Sequence, residues 1–110
     1  MASDRVAQLR KGVLELAILG LLRAGESYGG EIVQILSGRP GLDASAGTVY
    51  PILSRLKTSG LVDTNWVEST SGPPRKYYRL SAPGQAALTE GTQAWRGLVH
   101  ALDSLLEEKR

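Results

Sequence analysis

The chain has no cysteine and a single histidine, His100. Without cysteine there can be no disulfide framework, no cysteine-ligated zinc and no thiol nucleophile; nothing points to an oxidising compartment, and a cytoplasmic location is expected. One histidine removes most metal-site and triad chemistry as well. His100 falls on the solvent edge of an amphipathic stretch with Asp103 three residues on, the spacing of a surface pair rather than of a general base. Long apolar runs are also missing. The longest, Leu16 to Leu22, is far short of the roughly 18 to 20 residues that cross a bilayer, so no membrane span is expected. Basic residues before Val13 and the apolar stretch after it imitate a signal peptide, but Glu15 interrupts the stretch and Arg23-Ala24-Gly25 makes a poor cleavage site. Gly25, Gly29 and Gly30 form no phosphate loop, since no Gly-Lys-Ser/Thr follows them. With no nucleophile-base pair and no metal cluster, neither an enzyme nor a cofactor is expected.

What remains is the material of one small folded unit. The 110 residues are 42% hydrophobic and 22% charged, with 13 glycines and five prolines, which excludes a two-domain enzyme and suits a globular chain with a modest core. The net charge of +2 says little by itself. Its distribution says more: residues 45 to 80 carry Arg55, Lys57, Arg75, Lys76 and Arg79 against Asp63 and Glu68, whereas residues 81 to 110 carry three basic and four acidic side chains. The basic middle is the part suited to nucleic acid.

Apolar residues cover nearly every face from Leu9 to Leu22, which predicts a central helix buried on several sides. Ser27 offers an N-cap to a second helix, Tyr28 to Leu36, ended by Gly38-Arg39-Pro40-Gly41. In a third helix Val49, Ile52, Leu53 and Leu56 fall at i, i+3, i+4 and i+7 and make one apolar stripe. Pro51 lies inside that pattern and predicts a late start or an irregular first turn. After Gly60, two runs of strand character, Leu61 to Glu68 and Lys76 to Leu80, are joined by a hairpin loop over residues 69 to 74. Arg75, Tyr77 and Arg79 share one face of the second strand, and Tyr78 and Leu80 the other.

Ser81 then caps a last helix about 25 residues long. Leu88, Gly91, Trp95, Leu98, Leu102 and Leu105 step along it by threes and fours, a heptad-like seam. A helix of that length has too few partners within so short a chain, so a second copy is expected to cover it, with Leu88, Leu98, Leu102 and Leu105 in a homodimer interface.

Three helices followed by a hairpin is the order of a winged helix-turn-helix, whose third helix enters the DNA major groove. The fold class is thus mainly α with a small β-hairpin, α+β overall: residues 1–80 as a DNA-binding winged helix and 81–110 as a long C-terminal dimerisation helix. The free N–H groups at the start of the third helix suit a phosphate or the groove, with Ser45 and Thr48 as short hydrogen-bonding side chains. Tyr50 and Arg55 extend the same surface, Arg55 within reach of a phosphate or a guanine edge; on an ordinary amphipathic helix they would be a packed ring and a solvated charge. Arg75 and Lys76 follow the Gly-Pro-Pro turn and can lie along the minor groove or the backbone.

The residues Gly47-Thr-Val-Tyr-Pro-Ile-Leu-Ser-Arg-Leu56, Gly60-Leu-Val62 and Gly72-Pro-Pro-Arg-Lys-Tyr-Tyr-Arg-Leu80 together resemble the signature of the PadR family of bacterial transcriptional regulators. The likeness runs from about Leu9 to the end, and a short C-terminal part made of that single helix makes the chain similar to the compact, multidrug-sensing branch. Members often have an aromatic in place of Gly30, an acid in place of Lys57 and threonine in place of Ser81. The resemblance implies a dimeric repressor acting on a dyad-symmetric operator in double-stranded DNA. It also implies that Trp95 lines a pore on the dimer axis, where the two copies stack on a flat aromatic effector; Val99 with Leu16 or Ala17 would complete apolar walls. From the residues alone Trp95 is most simply a packing residue, in the dimer core or within its own chain, and Gly91 and Gly97 beside it fit either a cavity or a close helix crossing. A winged-helix module used only for protein contacts, without an effector, is the rival reading.

Overall fold

The stripe of Val49, Ile52, Leu53 and Leu56 is buried as a unit, at 9% exposure or less. Burying each of these side chains contributes about 1.5–3 kcal/mol. The protein is described by a computed structural model covering residues 2–107. Its elements are α1 (Ala2–Leu9), α2 (Leu14–Leu22), β1 (Ser27–Tyr28), α3 (Gly29–Ser37), α4 (Ala46–Thr58), β2 (Val62–Ser69), β3 (Gly72–Leu80) and α5 (Ala82–Leu106). Ile18 of α2, Ile32 and Leu36 of α3, the α4 stripe and Val62 of β2 meet in one core, which Tyr78 of β3 and Leu88 of α5 close.

The three-helix, hairpin and long-helix order expected from the sequence is present, with four differences. The helix expected from Leu9 to Leu22 starts only at Leu14, as α2: a turn through Arg10, Lys11 and Gly12, where glycine favours a break, separates it from α1, a helix that was not expected and that ends at Leu9. Ser27 is no cap. It is buried in β1, paired with Tyr78, and Tyr28 stands before α3 instead. The sheet therefore has three antiparallel strands in the order β1-β3-β2. The hairpin loop is also shorter, because Gly72, Pro73 and Pro74 already belong to β3 and a bulge between Val67 and Ser69 absorbs the irregular step. Lastly, α4 starts at Ala46 and runs through Pro51. The ring faces solvent, and the carbonyl one turn back belongs to exposed Gly47, so the lost hydrogen bond falls where water replaces it.

Two local devices fix the end of α4 and the start of α5. Gly60, with φ +79°, lets the Leu61 N–H reach the Leu56 carbonyl and its own N–H reach that of Lys57, a Schellman turn. Ser81 caps α5 as expected: its Oγ accepts from the Gly84 N–H at 3.1 Å and donates to the Gly60 carbonyl at 2.6 Å. Gly84 itself lies against the Leu61 carbonyl so closely that no Cβ fits there. The two helices are thus fastened to one turn.

Beyond Thr92, α5 leaves the core. Trp95, Leu98, Leu102 and Leu105 are 47%, 67%, 51% and 74% exposed. The projection stretches the molecule to a radius of gyration of 16.0 Å, against about 13 Å for a compact chain of this length.

Candidate nucleic-acid interface

Opposite its buried stripe, α4 presents Gly47, Pro51, Ser54 and Thr58, all exposed, with Thr48 and Arg55 on one flank and Tyr50 and Lys57 on the other. Ser45 precedes the helix in extended conformation, and its hydroxyl caps none of the helix N–H groups. The Ser45 carbonyl takes the N–H of both Thr48 and Val49 at 3.0 Å, which tightens the first turn and leaves the two N–H groups before them pointing along the axis. A short-residue surface of this kind lets a backbone or base edge approach closely.

The flanks are held by neighbouring elements. Arg55 reaches back toward α2, its Nη2 3.7 Å from Glu15 Oε2, while 61% of its side chain stays exposed. Tyr50 lies over the start of α3: a Cβ built on Gly29 would stand 2.5 Å from its hydroxyl and Cε1, so the ring has its place only because residue 29 is glycine. Tyr50 remains 45% exposed. It also neighbours Tyr78, whose phenol is pushed above its ordinary value first by burial and then by Tyr50.

On the wing, Arg75 and Lys76 lie on opposite faces of β3. The Arg75 guanidinium carbon sits 4.4 Å from the centroid of the Tyr28 ring, and Tyr28 meets Tyr77 edge to face at 5.4 Å. Lys76 Nζ is 6.0 Å from the Trp66 ring and 5.8 Å from that of Tyr78. Aromatic faces thus orient both cations while leaving their charge for a ligand. Tyr28 is the positioning residue that sequence reasoning missed; absorbed into a helix on paper, it gave no sign that β1 would bring it under Arg75.

The residues considered for an effector are more dispersed within one chain. Leu16 packs where α2 crosses α5, 2.8 Å from a Cβ built on Gly91, so Gly91 serves a close helix crossing. Ala17 instead lines an open groove of about 610 Å³ with Leu21, Ile35, Leu36 and Leu42, in which Trp95 and Val99 take no part. Trp95 and partly buried Val99 lie further along α5. Leu88, expected in the dimer seam, is 8% exposed and belongs to the core of its own chain, so the exposed seam begins at Trp95. His100 and Asp103 are both exposed; among the described residues the ion pairs are Arg10–Asp43 and Arg55–Glu15, and the expected surface pair is not formed.

A helical recognition element held by two others, beside a basic β-wing, defines a winged helix-turn-helix. The family model described as the transcriptional regulator PadR-like family matches residues 18–90, from α2 through the wing into α5, and the chain belongs to this family. It is similar to the transcriptional regulator Rv3488 of Mycobacterium tuberculosis, 36% identical over 87 residues, or 79% of either chain. Among solved structures, a PadR family transcriptional regulator from Eggerthella lenta is 35% identical, with TM-score 0.87 over 98% of this chain and 94% of that one. A PadR-like transcriptional regulator from Bacillus cereus is 33% identical, with TM-score 0.83 over 93% and 99% of the two chains. The protein is a DNA-binding transcriptional regulator and not an enzyme. Among the described residues no helix is long and apolar enough to cross a membrane.

Proposed function

We propose that the protein is a cytoplasmic homodimeric repressor, with residues 1–80 as its DNA-binding part and the helix from 81 onward joining two copies. The observation carrying this reading is the exposed stripe of Trp95, Leu98, Leu102 and Leu105 on a helix that outruns its own core. A soluble monomer rarely leaves so continuous an apolar seam to water. Two copies joined along it present two α4 helices to a dyad-symmetric operator, with half-site centres about one helical turn apart or a multiple of that. In each half-site Ser45, Thr48, Tyr50 and Arg55 meet the major groove and its phosphates, and Arg75 and Lys76 meet the backbone or minor groove.

Trp95 is the residue on which a small planar aromatic effector would stack, between the two copies, with Val99, Leu16 and Ala17 as apolar neighbours. Only a ligand that binds the DNA-free dimer more tightly than the operator-bound one can derepress. The test is footprinting on the promoters of its own and adjacent genes, followed by release from that site with planar cationic or phenolic aromatics. A single-site footprint without dyad symmetry would contradict the dimeric reading. A Trp95→Ala protein that still binds operator and responds to the effector with undiminished affinity would remove Trp95 from the effector site.

A further inference from the structure

One aromatic of the sheet is exposed and lies outside the core. Trp66 is 65% exposed on β2, directly across from Lys76 on β3. Strand alternation puts Val62, Thr64 and Trp66 with Lys76, Tyr78 and Leu80 on one face of the hairpin. At its base this face is buried: Val62 is in the core, and Tyr78 stands close enough to Tyr50 of α4 for the two phenols to feel each other. Two residues outward, or roughly 6.6 Å along the strands, the same face displays Trp66 with the Lys76 ammonium 6.0 Å from its ring centroid. The side of the wing that leans on the recognition helix therefore ends in a flat apolar plate with a cation beside it. The charge on this face favours an anion: Lys76 is its charged side chain, while Arg75, Arg79 and Asp63 lie on the opposite face of the hairpin and Glu68 lies in the bulge.

We propose that Trp66 is a DNA-contact residue, its ring lying against the sugar-phosphate backbone that borders the groove receiving α4, while Lys76 hands its ammonium from the ring to a phosphate. The inference rests on the DNA-binding reading of α4 and the wing. A deoxyribose presents the apolar surface that the ring face suits, the adjoining phosphate presents the charge that Lys76 suits, and both recur at every nucleotide. The contact is accordingly indifferent to sequence. It anchors the wing and fixes the depth at which α4 enters.

The experiment uses the full chain labelled with 5-fluorotryptophan. The sequence has two tryptophans, Trp66 and Trp95, so the Trp66 resonance is assigned by its absence in Trp66→Phe. Titration with a random-sequence duplex of about 24 base pairs at about 50 mM salt, with binding followed in parallel by anisotropy of the labelled duplex, should move the Trp66 resonance. Trp66→Ala should weaken binding about 5- to 20-fold, alike for unrelated duplexes, without changing the salt slope; Lys76→Ala should also lower the slope by about 0.9. Trp66→Tyr, which keeps a ring, should stay within about threefold of wild type, and circular dichroism confirms that each variant is folded. A Trp66 resonance that stays put on bound duplex, or a folded Trp66→Ala protein within twofold of wild type, overturns the proposal. So does a resonance that responds to protein dilution alone, which would put Trp66 in a contact between proteins. A wild-type protein that binds no duplex overturns the DNA-binding reading along with it, and the anisotropy arm separates that outcome from the others.

Discussion

Tyr50 and Gly29 occupy each other's space: the ring of the recognition-helix tyrosine fills the volume that any side chain at the start of α3 would need. Gly29 is buried and Tyr50 is nearly half exposed, so the contact ties a surface residue of α4 to the interior end of its neighbour. Gly29→Ala should displace the ring rather than the backbone, with a loss of about 1–3 kcal/mol in stability. DNA affinity should fall in the same variant, as Tyr50 shifts on the interface. Chemical denaturation and duplex anisotropy check the two effects; a Gly29→Ala protein unchanged in both would show that Tyr50 is not fixed by this contact.

At the joint between α4 and α5, Gly84→Ala drives a Cβ into the Leu61 carbonyl, a backbone atom that cannot swing aside. The expected loss is about 2–3 kcal/mol. Ser81→Ala should cost about 1–2 kcal/mol, since it removes both the cap of Gly84 and the bond to the Gly60 carbonyl. Urea midpoints for the two single variants and the double variant should show less than additive losses, because both act on one joint.

The exposed seam makes its own prediction. Leu98 and Leu102 contribute nothing to the buried core of their own chain. Leu98→Asp or Leu102→Asp should therefore leave the single chain folded and separate the copies, raising the dimer dissociation constant at least about 100-fold, since each dimer would bury two carboxylates. Sedimentation velocity on wild type and variant decides it: a wild-type protein that stays monomeric at high micromolar concentration contradicts the homodimer.

Arg55 can be tested through its partner. Glu15→Gln removes the acid 3.7 Å from the guanidinium, and because the pair is exposed the stability change should stay within about 0.5 kcal/mol. If Arg55 serves DNA, its release should tighten duplex binding about two- to fivefold, whereas Arg55→Ala should weaken it and lower the salt slope by about 0.9. Equal affinities for the wild type and both variants would leave Arg55 as a bridge to α2 only.

Tyr78 gives a pH dependence at the alkaline end. Its phenol is held above the ordinary value of 10.0 by burial and by Tyr50, so the folded chain keeps the proton longer than the unfolded one. Stability should be unaffected below that ordinary value and fall as pH climbs from it toward the folded value. Tyr78→Phe should lose less stability over that window than wild type, measured as the shift in urea midpoint between neutral and alkaline buffer.

What the sequence made legible was periodic or punctuated. The α4 stripe has helical spacing, Ser81 opens a helix with proline inside its first turn, and the residues around Gly60 end one element and begin another. The missing pieces lacked that kind of signal. Two residues, Ser27 and Tyr28, are too few to alternate, so β1 left no trace. The start of α2 at Leu14 instead of Leu9 was masked because Leu9, Val13 and Leu14 are apolar on both sides of the turn, and the short α1 before it has too few large apolar residues to announce a helix. At the candidate interface, residue types singled out Thr48, Arg55, Arg75 and Lys76 as candidates, but the rings that lie against the wing cations, Tyr28 and Trp66, are set by strand register and emerge only in three dimensions. Leu88 obeyed the seam's spacing yet went to the core, because the first turns of α5 lie over α2 before the helix departs.

The fastening of Ser81 and Gly84 to the turn at Gly60 and Leu61 makes α5 a tiller for the recognition helix. In a dimer joined along α5, the angle at which the two long helices cross is geared directly to the separation of the two α4 helices. A change in that crossing would shift the two α4 helices against each other, and the step it has to match is the rise of one base pair, about 3.4 Å. Such a displacement is enough to put the pair out of step with two half-sites while each reading head keeps its shape, so a regulator built this way can release DNA by steering alone.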